Sequence, residues 1–163
     1  MDSRNTKRKY KKALHLNMDR TNSMGLWHYA KDYSDAGRVV VENLKEAIAP
    51  SPAYYLYCHA IELALKAYLR GSGARLEELK QIGHDLSMAY KKALAAGIKN
   101  ECKITLDMER SINLVNQVYR EKEFEYIKTG ARTIPTIAIL RATTDLLVVE
   151  LKRYCYDKRN VHN

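Results

Sequence analysis

Proline and glycine are sparse in this chain, three and seven among 163 residues, and nearly all of them fall between periodic segments. No Asn-Gly or Asp-Gly pair occurs and no stretch alternates cleanly between apolar and polar, which excludes a fold built from β-hairpins. Cysteine is scarce too. Cys58, Cys102 and Cys155 are odd in number and have no paired spacing, which excludes a disulfide framework and fits a reducing cytoplasm. No run approaches the roughly 18 apolar residues of a membrane span, and the charged N-terminus has no apolar core of a secretory signal. A cytoplasmic chain with no membrane segment is expected. Cys-x-x-Cys, P-loop and Gly-x-Gly-x-x-Gly motifs are absent, and no Ser, His and acid arrangement declares itself as a triad. His28, His59 and His84 show no ligand spacing with one another or with the cysteines, so neither a metal nor a cofactor is expected.

Acidic residues are in deficit. There are 19 against 28 Lys and Arg, a net charge of +9, and the imbalance is uneven. Arg4, Lys7, Arg8, Lys9, Lys11, Lys12 and Arg20 face only Asp2 and Asp19 in the opening segment. Residues 1–22 therefore read as a basic tail and residues 23–163 as one folded domain, a length that can bury a real core. A concentrated basic segment attracts polyanions such as nucleic acid or nucleotide phosphate; a solubilising disordered tail is the plainer reading.

What is present is helical periodicity. A long first helix is expected from Met24 to Ala49, with Trp27, Ala30, Ser34, Gly37, Val41, Leu44 and Ile48 on its inner face. Small residues at its middle allow close approach of a neighbour. The second runs from Ser51 as N-cap, with Pro52 at the first position, to Gly71 as the residue past its end. A short helix follows over Ala74–Ile82, then one capped by Asp85 with Leu86, Ala89, Tyr90, Ala93 and Leu94 buried. Thr105 caps the next, whose inner face is Leu106, Ile112, Val115 and Tyr119. The segment from Lys122 to Thr133 reads as an ordered loop, and a last helix spans Pro135 to Lys158 with Leu140, Thr144, Leu147 and Leu151 along its stripe. The fold class is all-α: an antiparallel four- to five-helix up-and-down bundle with a short helical insertion after the second helix.

One stretch poses a chemical question. In YYLYCHAIELALKAYLRG, residues 54–71, almost every position is apolar, yet Glu62, Lys66 and Arg70 step by four along one face. They form either the helix's one solvated edge or a charged line at a groove, where Lys66 and Arg70 meet phosphate and Glu62 fixes the lysine. Gly83-His84-Asp85-Leu86 raises a similar choice: a turn and cap, or a site using His84 and Asp85. Tyr54, Tyr55, Tyr57 and Tyr68 read first as core or interface contacts, and base stacking is the sharper alternative.

CHAIELALKAYLRG, then GHDL and MAYKKALAAGI, resembles the HEPN domains (higher eukaryote and prokaryote nucleotide-binding) over residues 54–98. YREKEFEYIKTGART, residues 119–133, resembles the aromatic-basic segment before the family's final helix. The resemblance implies a helical bundle, often a homodimer, that binds RNA or nucleotide, with Glu62, Lys66, Arg70, His84, Asp85, Tyr126 and Arg132 as its candidate contacts. It also implies a place in a toxin-antitoxin or antiphage system, frequently beside a nucleotidyltransferase partner. Many members are metal-independent endoribonucleases with an R-x(4–6)-H motif near the C-terminus. Here only Asn160 and Val161 separate Arg159 from His162, the candidate catalytic pair. Residues three apart still share a helix face. Arg8 and His15 fit the spacing but lie in the basic tail. Three expectations follow: an RNA- or nucleotide-binding domain, an endoribonuclease using Arg159 and His162, and a non-catalytic dimeric module that holds a partner protein.

Overall fold

The computed structural model describes residues 21–43, 51–126 and 130–161. Of these, 75% are helical, and no strand occurs among them. Six helices follow in order: α1 (Ser23–Asn43), α2 (Ser51–Gly71), α3 (Leu76–Ile82), α4 (Leu86–Ala95), α5 (Leu106–Arg120) and α6 (Ile137–Asp157), with a 3-10 turn at Ile98–Asn100. The basic tail to residue 20, and the expected end of the first helix with Leu44 and Ile48, lie outside the described residues.

Helix α2 is the central rod. Fourteen of its 21 residues are buried, as its nearly unbroken apolar circumference requires. It touches every other helix. Tyr57, Ile61 and Leu65 from α2 meet Leu86 of α4, Ile112 and Val115 of α5, and Leu140, Leu147 and Leu151 of α6 in one core. Each such aliphatic side chain contributes about 1.5–3 kcal/mol by leaving water.

Buried polar contacts set the helix directions. Ser23 Oγ donates to the Cys155 carbonyl and Trp27 Nε1 to that of Val148, both at 2.8 Å, so α1 starts where α6 ends. Arg70 Nε donates to the Thr21 carbonyl at 3.0 Å, setting α2 opposite to α1 as well. Tyr54 hydroxyl donates to the Pro135 carbonyl, placing the starts of α2 and α6 together. Helix α5 runs opposite to α4, since Ser87 bonds Asn113 while Tyr90 bonds Glu109. Helices α2 and α4 run the same general way, because His84 meets Glu62 before α4 and Ala96 meets Tyr68 after it. The short α3 carries the chain between them, so α4 does not take part in the alternation of α1, α2, α5 and α6.

Local chemistry fixes the ends. Asp85 caps α4 by accepting from Met88 N, and Thr105 caps α5 by accepting from Met108 N. Helix α6 begins at Ile137 rather than Pro135, with Thr136 as its cap. Gly37 lies under the Tyr57 ring, where an added Cβ would come within 3.0 Å of it; this is the close approach that small residues in α1 permit. Two expectations need correction. Gly71 is the last helical residue rather than the one after it; it is small because Tyr154 packs against it, 2.7 Å from where a Cβ would stand. Leu106 is 68% exposed rather than inward-facing: it opens α5, ahead of the turn that carries Ser111, Ile112 and Val115 into the core.

Candidate functional site

The four-residue step of Glu62, Lys66 and Arg70 is not a solvated edge. Glu62 is 3% and Arg70 5% exposed. The two are also separated in purpose. Arg70 Nε and Nη1 donate to the carbonyls of Thr21 and Ala74, so this guanidinium ties the end of α2 to the start of α1. Glu62 instead organises the turn between α3 and α4.

Lys66 Nζ donates to Glu62 Oε1 at 2.6 Å and to the Gly83 carbonyl at 2.7 Å. The other carboxylate oxygen, Oε2, accepts from Tyr119 hydroxyl at 2.6 Å and from His84 Nδ1 at 2.9 Å. With the Tyr119 proton committed there, its oxygen accepts from His59 Nδ1 at 2.9 Å. Burial alone raises the Glu62 pKa. The His59 imidazole, the Lys66 ammonium and the Tyr119 hydroxyl outweigh it and hold the carboxyl down at about 2. Burial, with the Glu62 charge beside it, pushes the Tyr119 phenol up. The carboxylate is thus permanently ionised and the phenol permanently protonated near neutral pH.

The Gly83–Leu86 turn is held from two helices, Gly83 and His84 by α2 and Asp85 and Leu86 by α5. Gly83 adopts φ +59°, the left-handed region that favours glycine, and gives its carbonyl to Lys66. His84 is anchored through Nδ1, yet its side chain is 46% exposed and edges onto the Tyr119 ring. Asp85 accepts from Met88 N, Asn116 Nδ2 and Arg120 Nη1. Leu86 N donates to Asn116 Oδ1 at 2.7 Å. Removing any one partner leaves a partly buried polar group unsatisfied, a cost of about 1–3 kcal/mol.

Beyond Asp85 opens a cleft of about 900 Å³, lined among others by Glu78, Asp85, Met88, Lys91, Lys92 and Arg120, three cations against two carboxylates. Lys91 and Lys92 are exposed, and neither makes an ion pair among the described residues. Ile82 and Met88 give the cleft apolar surface beside these cations. Such a surface suits an anion with an apolar or aromatic part.

The remaining candidates are scattered. Arg132 pairs with Glu123, and Tyr126 is 67% exposed in the loop after α5. Arg159 follows α6, donates to the Tyr156 carbonyl three residues earlier and lies 3.9 Å over the Tyr156 ring. His162, Arg8 and His15 lie outside the described residues, so the pairings Arg159–His162 and Arg8–His15 have no geometry to report.

Sequence reasoning missed His59 and Tyr119 as partners of Glu62. It also missed that His59, Glu62 and His84 each bring a ligand-type atom within 4.8 Å of the others. The His-x-x-Glu step within α2 was visible, but the third member comes from a turn whose position only the packing of α4 fixes. Nothing in the sequence sets Lys91 and Lys92 apart from the other lysines. Comparison with family models, with curated proteins and with solved structures returns no match for this chain.

Proposed function

We propose that this chain is an RNA- or nucleotide-binding helical domain of the HEPN kind, its binding face being the cleft between the Gly83–Leu86 turn, α4 and α5. In this reading the four long helices α1, α2, α5 and α6 are the up-and-down bundle, with α3 and α4 as the insertion after the second. The observation that carries it is the joining of a rigid turn to a cationic cleft. The buried Glu62 network fixes the turn, and Lys91, Lys92 and Arg120 stand around the space beside it. Net charge of +9 supports the same reading, since polyanions are drawn to such a surface at long range. The resemblance over residues 54–98 centres on the Glu62, Lys66 and His84 positions that build the network.

Phosphate contacts shift accordingly from those expected. Lys66 and Arg70 are committed to internal oxygens and act as supports, whereas Lys91 and Lys92 face the ligand, with Arg120 held beside them on Asp85 and Arg132 and Tyr126 further out. Membership of a defence or toxin-antitoxin pair, homodimerisation and a nucleotidyltransferase partner belong to the family likeness; light scattering tests the dimer directly. The test of the main reading is fluorescence anisotropy with a labelled single-stranded RNA, competed by nucleoside triphosphate. Lys91→Glu with Lys92→Glu is expected to weaken binding at least tenfold, with helicity unchanged. Equal affinity in the double variant removes the cleft from the account.

A further inference from the structure

We propose that His59, Glu62 and His84 form a site for a divalent transition-metal ion of the zinc type, none of the three lining the cationic cleft. The donor set is two imidazoles and one carboxylate, the combination that binds zinc while leaving a further position open. His59 precedes Glu62 by one helical turn, so α2 presents both on one face, and the turn before α4 brings the third. The ligand-type atoms lie within 4.8 Å of one another. Glu62 Oε2 is 2.9 Å from His84 Nδ1 and 3.6 Å from His59 Nδ1. Ligands about 2.0–2.2 Å from a tetrahedral zinc stand about 3.3 Å apart, between these two separations.

The surroundings fit as well. The half-exposed His84 gives the ion a route from solvent. Tyr33 and Tyr55 pack their rings against His59 at 4.4 and 5.8 Å between centroids. Tyr119 hydroxyl keeps its proton on Glu62 and orients that carboxylate from outside the donor set. On binding, the proton on each imidazole Nδ1 moves to Nε2, a change of tautomer without change of charge. Lys66 occupies the other carboxylate oxygen, Oε1, leaving Oε2 for the ion. Its positive charge also opposes the incoming cation, which gives the site a signature of its own.

The experiment is calorimetric titration of the EDTA-treated full chain with Zn²⁺, alongside Co²⁺ as a spectroscopic probe. One ion per chain is expected, with cobalt visible bands of a tetrahedral nitrogen and oxygen site. His84→Gln and His59→Gln should each weaken binding by at least about tenfold; His84 is exposed enough for that variant to fold, and circular dichroism checks both. Lys66→Met should bind Zn²⁺ more tightly than the wild type. The proposal is overturned by no binding, by unchanged affinity in both histidine variants, by thiolate-to-cobalt bands that place the ion on cysteine, or by unchanged or weaker binding in Lys66→Met.

Discussion

Replacing Glu62 by glutamine tests the network at its centre. The folded protein holds this carboxyl at about 2 against 4.5 for an ordinary glutamate. That difference corresponds to about 3 kcal/mol, since one pKa unit is about 1.4 kcal/mol. A lowered pKa means that the unfolded chain takes up the proton first. The stabilisation is therefore complete above about pH 5, declines as the unfolded carboxyl titrates, and is gone once pH falls through about 2. Between pH 5 and pH 3 the loss assigned to Glu62 is about 2 kcal/mol, and this window lies below the histidine range. Other carboxylates lose stability over the same interval, so the readout is the gap between wild type and Glu62→Gln in urea unfolding. At pH 5 the variant should be less stable by about 3–5 kcal/mol, because Lys66 keeps its charge in a mostly buried place without its partner. The gap should narrow by about 2 kcal/mol at pH 3. A gap that stays constant across that interval refutes the claim that Glu62 is the ionised hub.

Three further outcomes follow from particular contacts. Tyr119→Phe removes a donor to Glu62 and the acceptor of His59, and should cost about 1–3 kcal/mol in urea unfolding; an unchanged midpoint contradicts the network. Gly71→Ala puts a methyl 2.7 Å from the Tyr154 ring, so it should destabilise by about 1–3 kcal/mol although alanine favours helix; a raised melting temperature would show that Tyr154 yields freely. Cys58, Cys102 and Cys155 are buried, and burial pushes the Cys102 and Cys155 thiols up to about 12. A disulfide-exchange reagent at pH 8 should label all three only as the chain unfolds; rapid labelling of the native protein would contradict the packing.

The sequence carried the helices well and the site partly. Asp85 and Thr105 announce their caps because capping is local, a short polar side chain reaching a backbone N–H three residues on. The stripes of α1 and α6 emerge from spacing alone, as Trp27, Ala30, Ser34 and Gly37 or Leu140, Thr144, Leu147 and Leu151 show. The line Glu62–Lys66–Arg70 was visible as a face, but its meaning was not. Whether a charged face meets water or a neighbour depends on what packs there, and α5 brings Tyr119 onto Glu62 from far along the chain. The same dependence hid the convergence of His59 with His84. Arg70 misled for a related reason: three and four residues apart look alike in sequence, whereas the carbonyls it serves, those of Thr21 and Ala74, are set by how α1 enters.

The proposed phosphate-binding face is the cleft beside the turn that the Glu62 network fixes. Its most direct measurement is the salt dependence of single-stranded RNA affinity for the wild-type chain beside Lys91→Gln with Lys92→Gln. Each phosphate neutralised contributes about −0.7 to the log–log slope, so losing both lysines should make it shallower by about 1.4. Identical slopes in the two proteins would place the binding elsewhere on the molecule and contradict the account.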